Sequence, residues 1–224
     1  MVIKVLGASS NGNCYLLEDK DQCLILDAGI SFKEVKKAIH FNVSKIVGVL
    51  VTHAHGDHAK YVKDYEVFGI KVIKPYDTDV KITTTLGKFT IQTFALQHDV
   101  PCFGFYIKWD DERLIYATDT EYIKYKFNDI NHIIVECNYS YELLQDKYHK
   151  SLKERVMISH MELLTCKEFI NVNKSKDLRS VTLIHLSNSN SDEALFKREV
   201  EQLVNCPVYI ASSGLNIPLD REPF

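Results

Sequence analysis

The chain has 224 residues, of which 46% are hydrophobic, 25% are charged and 11% are aromatic. These fractions are typical of a globular protein with a substantial core, and they exclude a disordered chain, a collagen and a coiled coil. Lys and Arg number 27 against 30 Asp and Glu, and the formal net charge of −3 argues against bulk electrostatic capture of long nucleic acid.

The cysteines and the hydropathy predict a cytoplasmic protein with no membrane segment. The N-terminus has no basic-then-apolar leader, and no apolar run approaches the ~18 residues that a membrane helix needs. None of the cysteines forms a C-x-x-C pair, so we expect reduced thiols that pack as small buried hydrophobes. The six are Cys14, Cys23, Cys102, Cys137, Cys166 and Cys206.

The first third of the chain predicts strands separated by turns and helices. Ile46–Thr52 is a continuous β-branched run, typical of a strand buried on both faces. Gly7–Asn13 predicts a turn. Further strands are predicted over Val2–Leu6, Cys14–Glu18 and Cys23–Asp27, and helices over Ser31–Ile39, with Ser31 as its cap, and over His58–Phe68.

The rest of the chain continues with short strands and then with more helices. Strands are predicted over Val72–Lys74, Lys81–Thr85, Phe89–Leu96, Phe103–Trp109, Arg113–Thr118, Ile133–Glu136, Val181–Ser187, Val208–Ile210 and Asn216–Pro218. Helices are predicted over Tyr141–Gln145, Leu152–Ile158, Leu163–Val172 and Asp192–Val204. This grouping favours an α/β protein with two sheets covered by helices, in a single domain spanning residues 1–224.

Four metal-competent side chains stand within six residues, where the buried strand ends and a helix begins. They are His53, His55, Asp57 and His58. Any one of them alone is more often a surface or capping residue, but the four together point in too many directions to serve packing. Imidazole nitrogens and carboxylate oxygens bind zinc and similar ions, so this turn predicts metal ligands.

Three further polar residues follow apolar strands and complete a candidate binuclear site. They are His98, Asp119 and His185. A titratable group in such a place loses hydration, and a bound cation compensates that loss. We expect His53, His55 and His98 around one ion, and Asp57, His58 and His185 around the other, with Asp119 as the bridge. Two ions ~3.5–4 Å apart can hold a shared hydroxide and clamp phosphoryl oxygens.

The spacing His-x-His-x-Asp-His, followed by separated His, Asp and His, resembles the metallo-β-lactamase-fold hydrolases. The resemblance extends over nearly the whole chain and is strongest to the YycJ-like (WalJ-like) branch, through the stretches Gly7–Tyr15, Leu26–Gly29, Thr52–His58, Glu136–Asn138 and His185–Ser187. It implies an αββα sandwich of two mixed β-sheets flanked by helices, with the metals at one edge. It also implies that Asp27 holds a ligand histidine, and that two copies can form a homodimer.

The resemblance further implies phosphodiesterase chemistry related to tRNase Z. Asp119 stands where many lactam-hydrolysing relatives carry a ligand cysteine. Glu136 and His160 occupy the places of a tRNase Z pair whose histidine donates a proton to the leaving oxygen, so with Asp57 they are the candidate catalytic residues. The alternative for His160 is a cap of the helix beginning near Leu163. The stretch Ser159–Leu163 lacks the Ser-Asn pair usual there.

The candidate function is therefore hydrolysis of phosphodiester bonds in nucleic acid or nucleotides, with two divalent ions, zinc or manganese. Alternatives are a cyclic-mononucleotide phosphodiesterase, a thioester or lactam hydrolase and a binding protein with a degenerate site. The gaps between the motifs hold neither a tRNase Z arm nor an RNase J-like inserted domain, which favours nucleotides or nucleic-acid ends as substrate.

The remaining histidines and the tyrosine-rich stretches are not part of a metal-ligand or catalytic motif. We interpret His40, His132 and His149 as surface or core residues. Most of the tyrosines are expected to pack or to lie at a rim, although a minority could line a nucleotide pocket. They are Tyr61, Tyr65, Tyr122, Tyr125, Tyr139, Tyr141 and Tyr148.

Overall fold

The structure is a computed structural model that describes residues 1–78, 82–144 and 150–219. The strands are β1 Val2–Ser9, β2 Gly12–Glu18, β3 Cys23–Leu26, β4 Ile46–Leu50, β5 Val72–Ile73, β6 Thr83–Leu86, β7 Phe89–Leu96, β8 Cys102–Trp109, β9 Glu112–Ala117, β10 His132–Glu136, β11 Ser180–Ile184, β12 Val208–Ile210 and β13 Asn216–Pro218. The helices are α1 Phe32–Ala38, α2 Gly56–Ala59, α3 Val62–Val67, α4 Lys150–Ser159, α5 Leu163–Asn173 and α6 Glu193–Glu201.

The strands form two mixed sheets that lie face to face. One sheet has the order β13-β1-β2-β3-β4-β5 and the other the order β12-β11-β10-β9-β8-β7-β6. In the first sheet β3, β4 and β5 are parallel, and in the second β9, β10, β11 and β12 are parallel. The predicted αββα sandwich is confirmed.

Three apolar clusters hold these layers together, and the sequence pattern explains each. The central cluster joins alternate residues of both sheets, such as Leu24 with Tyr116. A second cluster packs α5 and α6 on the outer face of one sheet, and a third packs α1 and α3 on the outer face of the other. Strands buried on both faces need continuous apolar runs, as Ile46–Leu50 provides.

The turn predicted over Gly7–Asn13 is shorter in the structure, because β1 and β2 pair through most of that stretch. Gly7 pairs with Cys14 and Ser9 with Gly12, so only two residues remain in the turn. A Cβ at Gly7 would lie 2.2 Å from the carbonyl oxygen of Gly12. The glycine therefore allows close approach of two paired strands, which the sequence pattern does not separate from a loop.

Two predicted helices also differ from the structure. The helix over His58–Phe68 begins earlier, at Gly56, and is interrupted between α2 and α3. In the predicted helix Tyr141–Gln145, residues 141–143 form a turn and Gln145 lies outside the described residues, as does Lys81 of another predicted strand. The Ser31 cap is confirmed, since its hydroxyl accepts the N–H of Glu34.

Among the residues that the structure describes, no helix combines the length and apolar character needed to cross a bilayer.

Candidate metal centre

The candidate site lies at the edge of the sandwich where six strands end. Strands β9, β10 and β11 are parallel, and β7 runs in the same direction because two antiparallel pairings separate it from β9. Strands β3 and β4 end at the same edge of the other sheet. The segments after these strands carry Asp27, His53, His98, Asp119, His185 and, at the last residue of β10, Glu136.

Three of these residues turn into the site through a left-handed backbone. Asp27 has φ 61°, Asp119 has φ 50° and His185 has φ 55°. Non-glycine residues in this region are uncommon, and each costs of order 1–3 kcal/mol. The surrounding packing must supply that energy, and the conformation turns a buried polar side chain toward the centre at each strand end.

A first cluster consists of His53, His55, His98 and Asp119. The Nε2 atom of His53 is 3.1 Å from Nδ1 of His55, which is 3.3 Å from Nε2 of His98. The Oδ2 atom of Asp119 lies 3.4 Å from Nε2 of His53. One ligand atom from each of the four residues therefore faces a common point.

Hydrogen bonds of the outer ring nitrogens determine which nitrogen of each imidazole faces the cluster. Nδ1 of His98 donates to the carbonyl oxygen of Ser159 at 2.8 Å. Nδ1 of His53 lies 3.0 Å from Oγ1 of Thr52, which itself donates to Asp27. A neutral imidazole that donates through one nitrogen presents a lone pair at the other. Nε2 of His53 and Nε2 of His98 therefore point lone pairs into the first cluster.

A second cluster consists of Asp57, His58, Asp119 and His185. Nε2 of His58 is 3.3 Å from Oδ2 of Asp57 and 3.1 Å from Oδ2 of Asp119. Nε2 of His185 lies 3.8 Å from Oδ2 of Asp57. This last nitrogen is buried and has no hydrogen-bond partner within the described part of the chain. The same oxygen of Asp119 faces both clusters.

Asp27 anchors the second cluster from behind. Its Oδ1 accepts the backbone N–H and the hydroxyl of Thr52, at 2.9 and 3.0 Å. Its Oδ2 accepts Nδ1 of His58 at 2.8 Å and the hydroxyl of Tyr116 at 2.6 Å. All four residues are buried. This contact fixes the ring of His58 with Nε2 toward the cluster.

Asn13 also contacts the second cluster from the hairpin of the first sheet. Its Nδ2 lies 3.1 Å from the carbonyl oxygen of Ser9, 3.3 Å from Oδ2 of Asp57 and 2.9 Å from Nε2 of His58. The carbonyl oxygen of Ser9 and Oδ2 of Asp57 can only accept, so the atom between them is the amide nitrogen and the orientation of the amide is defined. Its N–H groups therefore stabilise the carboxylate of Asp57 where the cluster needs it.

The spacing of the first cluster fits a tetrahedral cation. Zinc–nitrogen bonds of ~2.0–2.1 Å place tetrahedral ligand atoms about 3.3–3.4 Å apart. Three pairs of ligand atoms in the cluster are 3.1, 3.3 and 3.4 Å apart, and all four atoms lie within 4.8 Å of one another. Inward-facing lone pairs at such distances repel one another unless a proton or a cation lies between them. The donor set and its geometry therefore fit divalent cations.

The electrostatics of the two clusters differ. Burial disfavours the imidazolium ion and lowers the pKa of His55 and of His98, so both favour the neutral form that binds metals. Burial acts in the same direction on His58 and His185, but their acidic neighbours, Asp119 foremost, together outweigh it and raise the pKa of both well above the usual value. The electrostatic potential is thus more negative at the second cluster than at the first.

Glu136 and His160 form a hydrogen-bonded pair beside the second cluster. Oε1 of Glu136 is 2.7 Å from Nδ1 of His160 and 3.0 Å from Nδ1 of His185, and its Oε2 accepts the N–H of Thr120 at 2.9 Å. Burial opposes the imidazolium ion, but Glu136 prevails and raises the pKa of His160. The alternative that His160 caps the next helix is wrong, because Glu162 caps α5.

All the residues that the sequence analysis assigned to the site converge here. The structure brings their side chains into three groups that could each hold a cation and that all contain Asp119. Two of them are the clusters above, and the third consists of Asp119, Glu136, His160 and His185. Sequence reasoning missed Asn13, Thr52 and Tyr116 as contacts of the site. Asn13 and Thr52 stand inside quoted motif stretches, whereas Tyr116 looks like an ordinary core aromatic of β9.

The other histidines and the cysteines lie away from the candidate ligands or pack in the core. His40 is exposed, and His132 is buried with Nδ1 2.8 Å from the hydroxyl of Ser180. His149 and Tyr148 lie outside the described residues. All six cysteines are free thiols, five of them buried and Cys206 partly exposed.

The comparisons with known proteins agree with this site. A family model described as the metallo-beta-lactamase superfamily matches residues 9–123. Exodeoxyribonuclease YycJ of Bacillus anthracis is 26% identical, over 89% of this chain and 88% of that protein. Exodeoxyribonuclease WalJ of Streptococcus pneumoniae is 25% identical, over 85% of this chain and 83% of that protein.

Among solved structures, human tRNase Z, short form, superimposes with a TM-score of 0.64 at 14% identity and covers 99% of this chain and 100% of that chain. At that identity the likeness concerns the fold alone. The family match covers half of the sequence and contains the motif His53–His58 together with His98 and Asp119. The chain therefore belongs to the metallo-beta-lactamase superfamily of metal-dependent hydrolases.

Proposed function

We propose that this protein is a binuclear-metal phosphodiesterase that hydrolyses phosphodiester bonds of nucleic acid or nucleotides. His53, His55 and His98 would hold one divalent cation, and Asp57, His58 and His185 the other. Asp119 would hold both. Zinc and manganese are the candidate ions, since imidazole and carboxylate ligands accept either.

The observation that carries the proposal is the shared carboxylate oxygen. Oδ2 of Asp119 lies 3.4 Å from Nε2 of His53 and 3.1 Å from Nε2 of His58, so one anionic oxygen faces both clusters. Its Oδ1 accepts the hydroxyl of Thr118 at 2.9 Å and faces Nδ1 of His185 at 3.0 Å. These contacts keep the carboxylate in the orientation that two adjacent cations require.

When bound, a pair of divalent cations supplies an acidified water and Lewis-acid stabilisation of phosphoryl oxygens. The chain's own residues supply the rest. The oriented imidazoles hold their lone pairs in place through Thr52, Asp27 and the carbonyl of Ser159. Asp57 is positioned by Asn13 and Asp119 by Thr118, so the carboxylates keep one geometry during turnover.

His160 is the candidate proton donor for the leaving oxygen. Its Nδ1 is bonded to Glu136, which leaves Nε2 for the substrate, and its side chain is partly exposed. Its ring centre lies 5.3 Å from that of His185 and 5.8 Å from that of His98, so it stands between the two clusters. Because Glu136 favours the imidazolium ion, the ring can carry the proton near neutral pH.

The named relatives support nucleic acid as the substrate class. Two of them, at 26% and 25% identity, are called exodeoxyribonucleases. The net charge of −3 favours contact with a short segment over contact with a long duplex. Ends of single-stranded nucleic acid and short oligonucleotides are therefore the substrates we expect.

The test compares single-stranded DNA, duplex DNA, RNA and cyclic mononucleotides, in zinc and in manganese, with wild type and Asp119→Asn. We expect turnover of single-stranded ends by the wild type, and a loss of at least about a thousandfold in the variant, because a neutral amide cannot balance two cations. Circular dichroism checks that the variant is folded. Turnover only of cyclic mononucleotides would favour the small-nucleotide alternative, and equal turnover by Asp119→Asn would refute the shared-ligand proposal.

A further inference from the structure

A surface cleft lies beside the first cluster and shares His98 with it. It encloses about 490 Å³ and is lined by Leu96, His98, Pro101, Tyr122 and Lys124, among others. His98 is both a wall of this cleft and a member of the first cluster. A molecule held in the cleft would therefore lie next to a member of the first cluster.

Hydrogen bonds connect the loops that line the cleft to each other and to the candidate site. The N–H of Glu121 donates to the carbonyl oxygen of Gln97, and the N–H of Gln97 donates to the hydroxyl of Thr120, both at 3.0 Å. The N–H of Thr120 donates in turn to Oε2 of Glu136. Because these bonds join two loops to the Glu136–His160 pair, the cleft has a defined position relative to the candidate proton donor.

Tyr122 differs from the other aromatic residues near the site. It is 53% exposed, whereas Tyr116 and Tyr139 are buried. The neighbouring Tyr125 packs against Phe94, with ring centres 5.7 Å apart. Of the tyrosines named in the sequence analysis, Tyr122 thus presents a free ring to a cavity beside the ligands, and nucleic-acid bases stack on such rings whatever their sequence.

The charges around the cleft suit a phosphate neighbour. Lys124 lines it and is exposed. The carboxylate of Asp99, which also lines the cleft, is partly offset because Nη2 of Arg155 lies 3.3 Å from its Oδ2. Lys124 therefore contributes a positive charge that the carboxylate of Asp99 does not cancel.

We propose that this cleft is a nucleotide subsite of the enzyme. It takes the base and sugar of the nucleotide next to the cleaved phosphate, with the base on the ring of Tyr122 and a flanking phosphate near Lys124. The volume lies within the ~300–1,000 Å³ of small-ligand sites. The inference rests on the proposed function and adds where, and by which residues, the substrate is held.

The test measures the coupling between Tyr122 and a base. The substrates are a single-stranded oligodeoxynucleotide and the same oligonucleotide without bases on its two terminal nucleotides at each end. The ratio of their kcat/KM values reports base stacking. Stacking on an aromatic side chain contributes ~1–3 kcal/mol, so the wild-type ratio is expected between about fivefold and about 150-fold. Tyr122→Ala should bring the ratio close to one, and Tyr122→Phe should restore it.

Tyr141→Ala is the matched control, since Tyr141 is 57% exposed and packs its ring edge-on against Tyr139 rather than lining the cleft. This variant should keep the wild-type ratio. For Lys124→Ala, the slope of log kcat/KM against log salt should become shallower by about 0.7, the value for one single-strand phosphate contact. Metal content of each variant shows whether the centre is intact.

The failures of the two proposals are distinguishable. A wild type that cleaves neither oligonucleotide refutes the proposed function. A wild type that cleaves both, with the same ratio in Tyr122→Ala, refutes the subsite while the function stands. An unchanged salt slope in Lys124→Ala overturns the phosphate contact.

Discussion

Removing the hydroxyl of Tyr116 should lower both the stability of the fold and the metal affinity of the second cluster, although Tyr116 is not a member of that cluster. This hydroxyl donates to Oδ2 of Asp27 at 2.6 Å, and the same oxygen accepts Nδ1 of His58 at 2.8 Å. Tyr116→Phe leaves the buried carboxylate of Asp27 with three donors instead of four. The ring of His58 then loses part of the support that orients its Nε2 atom.

The expected loss of stability follows from the type of hydrogen bond that is removed. A hydrogen bond to a charged group contributes ~1.5–3 kcal/mol to the free energy of unfolding. For a chain of this size each kcal/mol changes Tm by ~2–4 °C, so we expect a fall of about 3–12 °C. Groups that orient a metal-binding histidine typically change metal affinity 10- to 100-fold. Tyr116 acts through Asp27, so we expect a loss of about tenfold.

Tyr15 provides a matched control. It is fully buried, its ring packs edge-on against Tyr116 with centres 5.6 Å apart, and its hydroxyl has no hydrogen-bond partner among the described residues. Tyr15→Phe removes the same atoms without breaking a bond and should be close to neutral. Thermal unfolding of metal-free protein and zinc titration against a competing chelator measure both effects. Equal results for the two variants would refute the role of the Tyr116–Asp27 bond.

Two further predictions concern the proton donor and a surface carboxylate. His160→Ala should reduce turnover of unactivated nucleotide esters much more than turnover of p-nitrophenyl esters, whose leaving group needs no proton; equal losses would contradict the donor role. Burial opposes ionisation of Asp19, but Lys88 and the N–H groups of Gln22 and Asp21 together outweigh it and lower the pKa of Asp19 to about 2. The ionised carboxylate therefore stabilises the folded protein above pH ~4, and this stabilisation is lost between pH ~4 and ~2. Asp19 and Lys88 lie at the surface and both are partly exposed, so solvent screens the pair and Asp19→Asn should cost only about 1 kcal/mol at pH 7 in urea unfolding. A difference from wild type that persists at pH 2 would contradict this assignment.

The sequence pattern indicated which side chains converge in the two clusters, because metal binding imposes a local pattern that packing does not. Four ligand types within His53–His58 cannot be explained by packing, and His98, Asp119 and His185 each stand directly after an apolar strand. Strands that end at one edge of a sandwich bring such residues together. The two groups and their shared carboxylate therefore followed from chemistry and strand order.

The supporting contacts could not be predicted in the same way. Tyr116 and Asp27 are 89 residues apart, and a tyrosine in a buried strand gives no sign that its hydroxyl has a specific partner. The left-handed backbone of Asp119 and of His185 is likewise imposed by tertiary packing. Gly7 led to the prediction of a longer turn, whereas the structure places it in a strand of a tightly paired hairpin.

The central claim is that two cations share Asp119, and metal analysis tests it most directly. Wild type and Asp119→Asn are loaded with zinc, freed of excess by dialysis and analysed for metal per chain, with circular dichroism to verify folding. We expect close to two ions per chain in the wild type and one or fewer in the variant. A folded wild type that retains no more than one ion, or a variant that retains two, would contradict it.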